Sequence, residues 1–229
     1  MGVEFISKKN KVFLENGIVT KVFSEESKWQ CEKLVNEVLQ SYNVEVPQII
    51  NIDNSNNLYI IRYEYIEGNL YSELIKNLKR EEAVSLLKWI DTYNTVIGKY
   101  HPDLNLRNFI YNDKRSCVGI DFEETILDKE YNKYNADPVL QNKQGTSLRI
   151  ERDIGKIIAF IGTYDPVFSE NKRRSVELII NCSYELFSDL DIKKVCEEYF
   201  IEIEEMFKRR SHLPFTRQES IDFIERYRA

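Results

Sequence analysis

The residues best suited to chemistry fall in two short stretches. The first is His101-Pro102-Asp103-Leu104-Asn105-Leu106-Arg107-Asn108, and the second is Val118-Gly119-Ile120-Asp121-Phe122-Glu123. Between them stand Phe109-Ile110-Tyr111, the polar run Asn112-Asp113-Lys114-Arg115, and Cys117-Val118-Gly119-Ile120. Two apolar runs around a polar turn read as a hairpin. A hairpin folds the second stretch back on the first and gathers Asp103, Asn108 and Asp121 at one end. Those side chains suit phosphoryl transfer. A carboxylate accepts or orients the proton of an attacking hydroxyl, while an amide oxygen and a second carboxylate hold magnesium ions that bridge the phosphates.

The pattern H-x-D-L-x-x-x-N, then I-D-F after a hairpin, resembles the catalytic and metal-binding loops of the protein-kinase-like superfamily. The closer likeness is to its small-molecule branch, the aminoglycoside phosphotransferase and choline kinase type. It covers about residues 12–163. It implies an α+β, two-lobed protein-kinase-like fold, with a small antiparallel-sheet N-lobe carrying one helix (1–66) and a larger helical C-lobe (67–229). It implies ATP and Mg2+ as cofactors, Asp103 as the catalytic base, and Asn108 and Asp121 as metal ligands. His101 would brace the loop. The acceptor would be a small-molecule hydroxyl compound. A compact atypical protein kinase and a non-catalytic kinase-like binding module are the other readings.

The elements that must position these residues can be traced from the N-terminus. Residues 3–7, 11–15 and 18–23 read as strands, the last two joined by Asn16-Gly17, a pair that tolerates positive φ. By the resemblance, Lys21 on the third strand contacts the α- and β-phosphates and pairs with an acid of the next helix. Ser27-Lys28-Trp29-Gln30 reads as a capping box opening that helix. Cys31, Leu34, Val35, Val38, Leu39 and Tyr42 form its apolar stripe. Glu32 lies beside the stripe, and its Glu-x-L, fifteen residues before the Pro47 of V-x-V-P, resembles small-molecule kinases; by that resemblance it is the expected partner of Lys21, with Glu37 as its competitor.

Two further strands, 48–52 and 58–65, flank a polar turn. The second ends in Glu64-Tyr65-Ile66, which looks like the hinge whose backbone groups bind adenine. Helices are expected over 70–78 and 80–99, and Pro102 bars the second from continuing through His101. Residues 122–150 read as irregular, facing substrate or forming a lid. A helix follows from Arg152-Asp153-Ile154-Gly155 to Gly162; Asp153 at its start reads as a cap, and the resemblance implies that it accepts backbone N–H bonds of the catalytic loop, roles that are not exclusive. Three closing helices are expected over 170–187, 191–209 and 217–228, the last opened by a capping box at Thr216. Trp29 and Trp89 read as packing residues and His212 as a turn residue.

Three departures from the superfamily pattern stand out. Ser7-Lys8-Lys9-Asn10-Lys11 occupies the place of a glycine-rich loop without a glycine. Asn105 stands where protein kinases carry a lysine two residues after the catalytic acid. Glu123 replaces the glycine after Asp-Phe, and a local metal role for it is open.

Of 229 residues, 42% are hydrophobic and 12% aromatic, which supports a real core. A net charge of −6 and a pI near 5.2 oppose general binding to nucleic acid or anionic membranes. Cys31, Cys117, Cys182 and Cys196 form no C-x-x-C pair and read as buried reduced thiols. No signal peptide or transmembrane run is legible, so a cytoplasmic location is expected.

Overall fold

A computed structural model describes residues 3–5, 10–55, 58–125 and 150–227. The architecture is α+β, with an antiparallel sheet in the N-terminal part and a larger helical part after it. The chain forms two compact units. One comprises Met1–Gly68, Thr92–Asp103 and Val118–Leu148; the other comprises Asn69–Asp91, Leu104–Cys117 and Arg149–Ala229.

The first unit is built on five antiparallel strands in the order β1-β2-β3-β5-β4. These are β1 (Val3–Phe5), β2 (Lys11–Glu15), β3 (Ile18–Phe23), β4 (Ile49–Asp53) and β5 (Tyr59–Glu64). Asn16 and Gly17 join β2 to β3 with φ of 51° and 76°. This is the left-handed two-residue turn that their sequence signals. Residues 6 and 7, expected in the first strand, lie outside the described residues.

Helix α1 (Glu26–Ser41) packs on β3 and β5. Its inward face carries Trp29, Glu32, Val35 and Leu39, and the sheet answers with Phe23, Ile61 and Tyr63. Burying each large apolar side chain stabilises by about 1.5–3 kcal/mol. The capping box expected at Ser27 does not form. The helix starts at Glu26, its N-cap Glu25 makes no side-chain cap, and Gln30 donates to Glu26 one turn back instead. Ser27 is therefore already inside the first turn.

In the second unit, the helix expected over 70–78 is a single turn, α2 (Tyr71–Leu74), preceded by a short strand β6 (Gly68–Leu70). Tight bonds from Lys76 to Glu73 and from Asn77 to Leu74 turn the chain instead. The Glu82 carboxylate then accepts the Lys79 N–H at the entry to α3 (Arg80–Ile97). Gly98, at φ 69°, ends α3. Strands β7 (Phe109–Asn112) and β8 (Cys117–Gly119) are neighbours in a sheet of order β6-β7-β8, so the expected hairpin forms.

Four helices complete this unit: α4 (Ile150–Thr163), α5 (Glu170–Leu186), α6 (Ile192–Arg209) and α7 (Arg217–Ile224). Helix α4 packs on α5 and α6, and its Ile154, Ile157, Ile158 and Ile161 are all buried. Because α4 begins at Ile150, Asp153 is not its cap but a fully buried residue of its first turn, accepting from Arg152. Asp191 caps α6, and Thr216 with Glu219 forms the expected capping box of α7. Trp29 and Trp89 are buried, and the four cysteines form no disulfide, with Cys117, Cys182 and Cys196 buried and Cys31 half-buried. Among the described residues no helix is long and apolar enough to cross a membrane. The segment read as a lid falls almost wholly on 126–149, outside the described residues.

Candidate functional site

Lys21 sits in the middle of β3, in register with Val12 of β2 on one side and Ile61 of β5 on the other. Neighbours on both edges fix its backbone, and alternation along the strand turns its side chain to the buried face with Val19 and Phe23. Only 10% of the side chain is exposed. Its ammonium lies 2.6 Å from the Asp121 carboxylate, 2.9 Å from Glu123 and 3.4 Å from Glu32. Burial alone would lower the Lys21 pKa. The three carboxylates outweigh it and raise the pKa, so the ammonium stays protonated.

Glu32 reaches this point from the second turn of α1 and is 3% exposed. It accepts the Phe122 backbone N–H at 2.7 Å and the Tyr63 hydroxyl at 3.1 Å, besides facing Lys21. Burial raises its pKa against the opposing pull of Lys21. Glu37, the competitor, points to solvent and faces Lys33 at 3.9 Å. The alternative at Glu37 is closed because that position lies on the outer face of α1.

Asp121 has φ of 70°, a left-handed conformation sparsely used by non-glycine residues. It aims one carboxylate oxygen at Lys21 and leaves 41% of the side chain exposed. The following Phe122 is fully buried and stacks on Tyr93, with ring centroids 6.0 Å apart. His101 closes the cluster at 4.8 Å from Tyr93 and 5.8 Å from Phe122. Burial pushes the His101 pKa down to about 3, and its Nδ1 accepts the Asp103 N–H at 3.2 Å. A neutral imidazole thus holds the backbone of Asp103, and the same ring packs beside Phe122, next in chain to Asp121. This is a geometric basis for the bracing role.

The chain after Asp121 is anchored by further contacts. Glu123 is 6% exposed and accepts from the Asn10 amide at 2.5 Å. Glu124 pairs with Lys28. Cys31, its thiol pushed up to about 11 by burial, donates to the carbonyls of Phe122 and Thr125.

Two further stretches carry expected site residues. Asn108 belongs to the second unit, where its N–H closes the 3-10 turn Leu106–Asn108 on the Asn105 carbonyl. In the hinge stretch, the Glu64 N–H bonds the Gln48 carbonyl and the Tyr65 N–H bonds the Gly17 carbonyl. Tyr65 is exposed and Ile66 half-buried.

The carboxylate oxygens of Glu32, Asp121 and Glu123 lie within 4.8 Å of one another. Hard oxygen donors of this kind fit Mg2+, which takes one or two carboxylates and keeps several waters. Asp121, with 41% of its side chain exposed, fits that demand best. Asn10 and Tyr63 escaped the sequence reading. Tyr63 carries a signal, since it alternates inward with Ile61 and a buried glutamate requires a donor.

No family model matches the chain, and no curated protein matches it. Among solved structures, the chain is similar to a single- and a double-substituted form of the Mycobacterium tuberculosis PknI kinase domain. Both are 12% identical to it, at TM-scores of 0.41 and 0.42, covering 69% of this chain and 68% and 70% of theirs.

Proposed function

We propose that the protein is an ATP- and Mg2+-dependent phosphotransferase that moves the γ-phosphate to a hydroxyl of a small-molecule acceptor. The observation that carries this reading is the Lys21 ammonium held between Glu32 and Asp121. A strand lysine aimed by a buried helix acid gives a fixed cation for the α- and β-phosphates. The acid beside it, half open to solvent, offers an oxygen for the metal. The sequence pattern adds Asn108 as a further oxygen donor. Magnesium, when bound, would offset the charge of the phosphates.

Asp103 then takes or orients the acceptor hydroxyl proton as that oxygen forms its bond to the γ-phosphorus and the bond to the β-phosphate oxygen breaks. His101 keeps Asp103 in place through its backbone. In the hinge, carbonyl groups and Ile66 are left to read adenine, since two N–H groups already serve the sheet. Asn105 in place of a lysine after the catalytic acid supports a small-molecule acceptor.

Thermal unfolding with and without Mg-ATP tests this reading. A ligand at about 100 times its Kd stabilises by about 2.7 kcal/mol. The shift should require magnesium and disappear in Asp121→Ala. A wild-type protein whose Tm does not move at millimolar Mg-ATP would sink the proposal. Labelled phosphate transfer to small hydroxyl compounds, set against protein acceptors, then identifies the acceptor class.

A further inference from the structure

An ammonium has three N–H donors, and Lys21 faces three carboxylates. A phosphate oxygen can therefore reach it only by replacing one of them. Glu32 is the least able to leave. It is buried and tied by Phe122 and Tyr63, so its departure would strand a charge without its partners. Asp121 has an exposed side chain and can turn its oxygen outward to a metal while remaining in place. Glu123 is different. It is buried, it offers Lys21 an oxyanion at 2.9 Å as a phosphate would, and it is latched by the Asn10 amide.

We infer that Glu123 is the carboxylate that nucleotide phosphates displace from Lys21, so that it sets both the affinity and the metal dependence of nucleotide binding. The inference rests on the phosphotransferase reading. Phosphates arriving without a metal meet Glu123, Asp121 and Glu32 together, and like charges at this range repel strongly where water is scarce. Magnesium offsets that repulsion and frees Glu123 to leave. Asn10 stands one residue before β2, so release of Glu123 also releases the start of that strand from its contact. A glycine at position 123 could do neither.

The test is the Kd of ADP and of ATP for the full chain, measured calorimetrically in EDTA and in MgCl2, for wild type, Glu123→Gln and Asn10→Ala. Removing the charge should tighten metal-free binding about tenfold, the scale of one partly screened like-charge contact. It should also shrink the ratio between the two conditions. Asn10→Ala loosens the latch without changing charge and should act in the same direction, more weakly. It carries the test alone if Glu123→Gln fails to fold by circular dichroism. Unchanged metal-free affinity in the variants overturns the inference and leaves the phosphotransferase reading standing. So does weaker binding in MgCl2 alone, which would make Glu123 a metal ligand. Wild type and variants all failing to bind either nucleotide would overturn both.

Discussion

Lys21 and Lys172 are both buried lysines, and their surroundings treat them oppositely. Lys21 has three carboxylates and a raised pKa. Lys172, 1% exposed in the first turn of α5, has no hydrogen-bond partner for its ammonium among the described residues. Burial pushes its pKa down to about 8, Lys76 adds to the fall, and Asp165 opposes it. The face of the Tyr164 ring, its centroid 5.5 Å away, offers a partial compensation. A cation at a helix N-terminus also works against the dipole. Replacing Lys172 with Met should therefore stabilise the protein at pH 7 by about 1–3 kcal/mol, the usual cost of a buried polar group left unsatisfied. The sign with pH follows from the depressed value. Below about 8 both folded and unfolded states hold the proton and the penalty is fully present. Between about 8 and the ordinary value of 10.5 the unfolded state binds more protons, so wild-type stability rises with pH. Urea midpoints at pH 7 and about pH 9.5 should show the advantage of Lys172→Met shrinking. A variant less stable at pH 7, or an equal gain at both pH values, would contradict this account. In the sequence Lys172 is one residue of the closing helix expected over 170–187. Its burial depends on residues far away in the chain, as does the contact of Asn10 with Glu123, 113 residues apart.

Helices and turns show where local signals suffice. Asn16-Gly17, Thr216 with Glu219, and the hairpin of β7 and β8 form as written, because each is decided within a few residues by φ preference or a nearby hydrogen bond. Ser27 and residues 70–78 do not, because two local options compete and the tertiary setting chooses. Glycine on α4 is a third case. Gly155 reads as part of a helix start, but its role is contact with α6. A Cβ there would lie 2.7 Å from the Val195 carbonyl oxygen and 2.8 Å from the Tyr199 nitrogen, both backbone atoms. Helix propensity favours alanine over glycine by about 1 kcal/mol. The clash opposes it, and overpacking typically costs about 1–3 kcal/mol, at the upper end where backbone must move. Gly155→Ala should therefore be net destabilising. At Gly162 the obstacles are the ring edges of Phe168 and Phe223, at 2.9–3.1 Å, which can rotate. Gly162→Ala should cost less. Thermal melts of the pair decide the matter, and equal Tm values would show that α6 gives way as easily as a side chain.

At the scale of the whole chain, neither compact unit is a continuous segment. The first unit takes Thr92–Asp103 and Val118–Leu148 from beyond Gly68, and α3 itself passes from one unit to the other at Thr92. This follows from the chemistry of the candidate site. Lys21 and Glu32 come from the N-terminal sheet and helix, but the groups that satisfy them arrive about ninety to a hundred residues later. The motifs could be recognised in the sequence because each is compact. The interleaving could not, because it is fixed by long-range pairing. A fragment of residues 1–68 should therefore fail to fold, although it holds the five-stranded sheet and α1. It loses the Phe122 N–H on Glu32, two of the three carboxylates on Lys21, the Glu124 partner of Lys28, and the Gly119 N–H on the Glu45 carbonyl. Glu32 and Lys21 are the buried members of this set; each buried polar group left unsatisfied costs about 1–3 kcal/mol, and a chain of this length has a net stability of only about 3–5 kcal/mol to lose. Collapsed amide dispersion in the NMR spectrum of the fragment and no cooperative melt are expected. A dispersed spectrum with a sharp transition would mean that the sheet and helix are self-sufficient, and that Asp121-Phe122-Glu123 docks on a lobe already formed.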